Sequence, residues 1–337
     1  MTVVSDPAPA ASVVRPSAVR RVWTGIRWLL LLGLAVWALI RGLGFDHRTP
    51  FAQLISYTPY VGALSLALLL AALATRSWRA AVAATVLAAL FGVFVLPREV
   101  GSSGPSDGQR LRVLAFNAKF GGASVSELMA LLRRERPDVL SIEELTPALV
   151  TKLDAAGVSS LLPYRALRPD PGATGTGLWA RFPLTDARRM DPTSGGFDQT
   201  IAVLRRPGKP AVEVGSAHPR PPLLQAQVWG SSHRWADDIA GLPAASASGP
   251  IRILAGDFNA TLDHSPLRKL ISTGYRDAAA TVGKGLAPTW PYDGDRLPPV
   301  TIDHVLVDKR AGVGAFRTSQ VSGSDHKAIV ADLILPE

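Results

Sequence analysis

The chain has 337 residues, 47% of them hydrophobic, with a mean hydropathy of +0.18 and a formal charge of +9. That length suits one large domain and a smaller region, since domains run to about 100–200 residues, and the hydropathy is higher than a wholly soluble chain needs, pointing to a part in lipid. There is no cysteine, which excludes a disulfide framework and thiolate metal ligation and leaves oxygen and imidazole as metal donors.

Most of the basic charge comes early. Residues 1–110 hold ten Lys/Arg against four Asp/Glu, a balance of +6, and the remaining 26 against 23 leave +3. A surplus that flanks apolar stretches reads as a positive-inside signal rather than as a polyanion-binding surface. Residues 1–20, rich in Ala, Pro, Ser and Val without helical period, read as a disordered cytoplasmic tail. Residues 22–43 make a first span if Arg27 and Arg41 extend their charges to the two interfaces. A signal peptide is its rival, disfavoured because no small-residue cleavage site follows. Residues 49–75 and 80–97 carry no charge. At about 1.5 Å per residue each can cross a core of about 30 Å with modest tilt or thinning.

The predicted spans are therefore 22–43, 53–75 and 80–97. With the basic tail and the Arg76 and Arg79 turn in the cytoplasm, everything after residue 98 lies outside it. Residues 98–110, "REVGSSGPSDGQR", read as a flexible tether, leaving 111–337 for a soluble domain.

In that domain "LRVLAF" reads as a strand, "SVSELMALLRRERP" as a helix stopped by Pro137, and "DVLSI" as a strand followed by a helix started at Thr146. Further strands are expected at 177–180, 201–204, 212–217, 251–255, 301–307 and 328–335, with a helix around 223–239. Many strands and few helices imply an α+β layered sandwich. Polar residues recur where the strands end: Asn117, Glu143 and Glu144, His218, Asp257 and Asn259, Asp303 and His304, Asp325 and His326. Any one of them alone would be a cap or a turn residue. The ordered set is harder to dismiss.

In order and motif the set resembles the endonuclease/exonuclease/phosphatase superfamily, which includes DNase I-like nucleases, inositol phosphatases and neutral sphingomyelinases. The resemblance covers about residues 111–335. "VLAFNAKFGG" is similar to its opening strand and "RPDVLSIEEL" to its second motif, with Glu143 where Gln is usual. "SAHP", "GDFNA", "TIDHVLVD" and "GSDHKAIVADL" are similar to its His, Asp-Asn, Asp and closing Ser-Asp-His motifs. The resemblance implies a four-layered α/β/β/α sandwich and a metal-dependent phosphoesterase. It implies metal-side places for Asn117, Glu144 and Asp325, and Asp303 as the partner of His326.

The same residues suit phosphate-ester cleavage on chemical grounds. Such a reaction needs a cation on the phosphoryl oxygens, an oriented water, and donors for the charge that develops. Mg²⁺, or Mn²⁺ in its place, fits Glu144 helped by Asn117. Asp257 can accept the water's proton, and Asn259, two residues on in an extended segment, would orient water or phosphate from the same side. His218 and His326 would donate to phosphate oxygens, each with a partner to fix its tautomer. Arg220 is a candidate for substrate phosphate. His304 should face away from Asp303 and be structural, His264 and His233 should lie at the surface, and Trp179 and Trp290 should pack in the core.

The expected partners are the lipid bilayer and a phosphate ester, either nucleic acid or a phospholipid headgroup. The "FNAKFGG" opening and His218 resemble the DNase I-like branch and favour an extracytoplasmic nuclease. The weakly charged domain and the membrane tether favour a lipid or small-molecule phosphoesterase. A catalytically silent membrane scaffold is the reading that retention of these side chains opposes.

Overall fold

The structure, a computed structural model, describes residues 18–102, 104–190, 196–222, 232–245, 248–292 and 297–337. Two six-stranded sheets form its centre. One has the order β11-β12-β1-β2-β4-β3 and the other β5-β6-β7-β8-β10-β9. The strands are β1 (Gln109–Asn117), β2 (Val139–Glu143), β3 (Tyr164–Arg168), β4 (Thr176–Ala180), β5 (Leu184–Arg189), β6 (Thr200–Leu204), β7 (Val212–Ala217), β8 (Ile251–Asp257), β9 (Tyr275–Asp277), β10 (Asp303–Asp308), β11 (Gly312–Ser319) and β12 (Ala328–Leu335).

Period-two alternation builds the layers. Leu111, Val113 and Ala115 of β1 meet Ile253 and Ala255 of β8 and Val305 and Val307 of β10 in the core between the sheets. The intervening Leu114 and Phe116 face outward, onto helices Val125–Glu135 and Pro147–Ala155. On the other side Leu254 and Leu306 face helices Ser232–Ala240 and Ser265–Ser272. The result is the expected α/β/β/α sandwich. Local signals end the helices as read: Ser124 and Thr146 accept the Glu127 and Leu149 amides as N-caps, and Arg136 takes a left-handed φ of +49° just before Pro137.

Three apolar helical segments, Ala18–Leu43, Phe51–Ala74 and Trp78–Val95, are long enough to cross a membrane. Their flanks stay bare, with Leu29, Leu70 and Val93 among the exposed side chains. Residues 18–20 begin the first helix, so that part of the expected tail is helical; 1–17 lie outside the described residues.

The tether does not behave as a free linker. Residues Pro97–Val100 form a helical turn. Arg98 lays both guanidinium nitrogens on buried Asp263 at 2.8 Å, and its carbonyl accepts from Gly285. Ser102 donates to Thr281, and Glu99 accepts from Leu286. The sequence showed a Gly/Ser/Pro-rich stretch, but not the buried carboxylate 165 residues away that captures its first residue.

Candidate active site

Strand parity places the polar side chains. Asn117 follows Ala115, and Asp257 follows Ala255, two residues on along each strand, so both continue the inner faces of their sheets and meet at the seam where the sheets end. Asn117 Nδ2 donates to Asp257 Oδ2 at 3.0 Å and to Glu144 Oε1 at 3.1 Å, and its Oδ1 accepts the Lys119 amide. One amide thus ties together carboxylates from both sheets. Antiparallel pairing sets Asp303 opposite Asp257, on the same inner face as Val305.

Asp303 holds His326 Nδ1 at 3.0 and 3.2 Å, the pairing that the resemblance implied. Burial works against a charged imidazole there, but the carboxylates of Asp303 and Asp257 overcome it and lift His326 to about 10. His218 goes the other way, to about 3, through burial and the neighbouring His326 charge, so it is a neutral ring. Its amide donates to Gln199 Oε1, and among the described residues no side chain partners its Nδ1. The Nε2 atoms of His218 and His326 stand 3.8 and 3.7 Å from the same Asp257 oxygen. Burial holds Asp257 itself well above the usual carboxylate range, against the pull of His326.

Glu144 sits at a left-handed φ of +52° and accepts the Phe120 amide at 2.6 Å. Burial raises its carboxyl, and nearby Asp325 adds to the shift. Asp325 faces Lys119 Nζ at 3.5 Å and accepts from Trp290 Nε1 at 3.3 Å. Glu143 points the opposite way, into the space between the sheets, where it accepts from Ser141 and Ser216 and is fully buried. Burial pushes it up to about 8, so at neutral pH it is an uncharged carboxylic acid. Gly256 makes room for it: a Cβ there would lie 2.7 Å from Glu143 Oε1 and 2.3 Å from the Ala217 carbonyl.

His218, Glu144, Asp257, Asn259, Asp325 and His326 line one cleft of about 640 Å³. Asp257, Asp303 and His326 also bring ligand atoms within 4.8 Å of one another, a spacing that could hold a metal ion.

A profile of the endonuclease/exonuclease/phosphatase family matches residues 114–326, more than half of the chain. The chain belongs to that family. Among solved structures, the family member resembles a humanized D. rerio TDP2 at 18% identity and a TM-score of 0.53, covering 66% of this chain and 98% of the other. It also resembles an AP endonuclease from Archaeoglobus fulgidus, at 12% identity and a TM-score of 0.52 over 66% and 98%. A third likeness is an endonuclease/exonuclease/phosphatase from Beutenbergia cavernae, at 19% and 0.50 over 68% and 72%. Identities this low speak to the fold. No curated protein matches in sequence. Family membership makes the chain a phosphoester hydrolase with a DNase I-like sandwich, in a family generally dependent on divalent metals.

Several site expectations need correcting. Asn259 is not in an extended segment: β8 stops at Asp257, and Asn259 turns at φ +49°, its amide donating to Asp257 Oδ1 and its Nδ2 to the Pro219 carbonyl. Arg220 is buried and forks onto Asp238, so its charge is already matched. His264 is buried, not at the surface, packing edge-on against Trp235 with Nε2 at 2.7 Å from the Ala52 carbonyl. Trp290 lines the cleft beside His326 instead of packing in the core, where Trp179 does sit. His304 is structural as read, held by Asp277 and the Ala260 carbonyl. The side chain of His233 and all of residues 223–231 lie outside the described residues.

Sequence reasoning missed three supports. Ser324 Oγ donates to the Asn117 carbonyl and accepts the His326 amide. Thr289 Oγ1 accepts the Asp303 amide, and Gln199 carries His218. Ser324 could have been found from the closing Ser-Asp-His motif; Thr289 and Gln199 carry no local signal.

Proposed function

We propose that the chain is a membrane-anchored phosphodiesterase that uses a divalent cation, Mg²⁺ or Mn²⁺, with its catalytic domain outside the cytoplasm. The observation that carries this reading is the convergence on Asp257. One of its oxygens is held by Asn117 and faced by two imidazole Nε2 atoms at distances beyond a hydrogen bond, which leaves those nitrogens for an oxygen entering from the cleft.

The residues around Glu144 fit a hard divalent cation. The carboxylates of Glu144 and Asp325 gather there, and Lys119 Nζ, the one amino group among the described residues of the cleft, leaves their negative charge partly unmatched. When bound, the ion supplies Lewis-acid polarisation of the phosphoryl oxygens. Glu144 and Asp325 would hold it, while Asn117, whose amide nitrogen faces the carboxylates, orients Glu144. The Asp257, Asp303 and His326 group suits an ion less well, because a protonated His326 spends Nδ1 on Asp303 and offers no lone pair.

Asp257 takes a proton from the attacking water as the water oxygen bonds to phosphorus. The ester P–O bond then breaks, the departing oxygen takes up a proton from solvent water, and Asp257 releases its own to solvent, which restores the carboxylate. A carboxylate lifted towards neutrality is matched to that task. His326, kept charged by Asp303, donates to a non-bridging oxygen, and neutral His218 does so from Nε2 in its Nε2–H tautomer.

Support for the anchor comes from the three apolar helices and the placement of charge. Arg20, Arg21, Arg76 and Arg79 gather at one end of the bundle; segment 44–57 and the catalytic domain share the other.

The test uses the full-length chain in mild detergent with bis(p-nitrophenyl) phosphate. Turnover should require added Mg²⁺ or Mn²⁺. Glu144→Ala should lower it on the order of a hundredfold at limiting metal, with no loss of melting temperature. Turnover that survives EDTA, or a folded Glu144→Ala protein with unchanged activity, sinks the assignment.

A further inference from the structure

Between the first and second spans, residues 44–57 do more than connect helices. Gln53, Ser56 and Tyr57 line the same cleft as His218, Asp257 and His326. We propose that this membrane hairpin is a wall of the active site and that the cleft takes its phosphoester from the bilayer surface, as the phosphorylated headgroup of a lipid. The inference rests on the phosphodiesterase reading above and deepens it.

The wall is fixed to the catalytic domain at several points. Asp46 accepts both the amide and the hydroxyl of Ser265. The Ala52 carbonyl meets His264 Nε2, Gln53 Nε2 donates to the Pro222 carbonyl, and Tyr60 Oη donates to the Pro299 carbonyl at 2.7 Å. Arg41 and Arg98, from the ends of the first and third spans, share buried Asp263. Asp263, His264 and Ser265 follow closely on Asn259, so the loop that leaves the catalytic strand β8 is the loop clamped to the membrane helices. No slack separates the cleft from the bilayer.

The position sets a depth. Tyr57 immediately precedes Thr58, the first residue of the regular second-span helix. The headgroup layer is about 5–8 Å thick on each side of a core of about 30 Å, so a residue at that point lies within it.

The chemistry of the lining favours a lipid over a nucleic acid. A nucleic acid presents several phosphates, each matched by Lys or Arg in a binding groove. Among the described residues this cleft offers one such side chain, Lys119, already facing Asp325. Its rim is apolar instead: Phe120 is 60% exposed and Leu297 48%. Phe45 and Phe51 stand exposed on the hairpin. A single phosphate with an acyl chain behind it matches one catalytic cluster and an apolar rim. Gln53 Oε1, shielded from solvent, has no partner among the described residues, an acceptor suited to a headgroup hydroxyl. The co-reactant is water, as in the hydrolysis described above.

The test places the full-length chain in nanodiscs of phosphatidylcholine doped with phosphatidylglycerol or phosphatidylinositol, with Mg²⁺, and measures release of the phosphorylated headgroup and of diacylglycerol. Single-stranded and duplex DNA and bis(p-nitrophenyl) phosphate are assayed in parallel. At least one lipid should be cleaved and DNA left intact. Tyr57→Ala should raise KM for the embedded lipid by roughly tenfold while changing kcat much less, as expected for lost ground-state binding, and Tyr57→Phe should restore most of it. DNA cleavage with all lipids inert overturns the proposal, as does a Tyr57→Ala chain whose KM is unchanged. A wild-type chain inert even towards bis(p-nitrophenyl) phosphate refutes the phosphodiesterase reading itself, a separate outcome.

Discussion

Arg98→Ala removes one of two guanidinium groups from a fully buried carboxylate. Arg98 makes two 2.8 Å charge-assisted bonds to Asp263, and a third bond from Nη2 to the Phe94 carbonyl; Arg41 reaches Asp263 at 3.2 Å. Breaking a buried ion pair by deleting one partner costs about 3–5 kcal/mol, because the remaining charge is left uncompensated. Arg41 stays behind, so the lower end applies, about 3 kcal/mol or roughly a hundredfold in the unfolding constant. Urea unfolding of the full-length chain in mild detergent, followed by tryptophan fluorescence, measures it. Arg98→Ala/Asp263→Ala should recover part of the loss, since it removes the orphaned charge. The reasoning is refuted if Arg98→Ala loses less than about 1 kcal/mol, the scale of an exposed pair, or if the double variant loses the sum of the two singles. By the same logic a chain cut to begin at residue 105, which lacks Arg41, Asp46, Ala52 and Arg98, should be less stable than the intact protein.

Asp303→Asn should move the alkaline limb of the kcat/KM profile down towards neutrality by about one unit or more. His326 is held near 10 by Asp303 and Asp257, so its charge normally persists until pH rises past that value; an unmoved limb would remove His326 from the chemistry. Glu143→Gln tests the neutral buried carboxyl. A folded value of about 8 against 4.5 gives stability that is complete below pH 4.5 and is lost as pH rises through 8. The wild-type chain in EDTA should therefore lose about 3 kcal/mol between pH 5 and 7.5, and the Gln variant much less; parallel curves would contradict it. A reporter active only outside the cytoplasm should work when fused after Glu337 and stay silent near Arg79, the opposite pattern reversing the topology.

What the sequence made legible was whatever repeats locally. The period of two carried Asn117 to the inner face of one sheet and Asp257 and Asp303 to that of the other, and apolar runs marked the three long helices to within a few residues. Edge strands were missed where that period fails. β11 carries a register shift between Val313 and Ala315, and β5 another between Thr185 and Arg188, on a largely solvent-facing segment. Other misreadings share a different cause, namely partners distant in sequence or lying in a stretch read only coarsely. Nothing near His264 announces the Ala52 carbonyl, nothing near Arg98 announces Asp263, and Arg220 looked free because Asp238 sits inside a helix. Trp179 and Trp290 are alike in a sequence; only the first continues a strand face between two helices.

The clamp on Asp263 also bears on how the protein is made. Synthesis runs from the N-terminus, and domains form in that order. On the membrane-anchored reading proposed above, Arg41 and Arg98 would therefore reach the bilayer surface before the strand that leads to Asp263 has left the ribosome. The catalytic sandwich would then close onto a scaffold already in place, and Asp263, a fully buried acid, would find both counter-charges waiting.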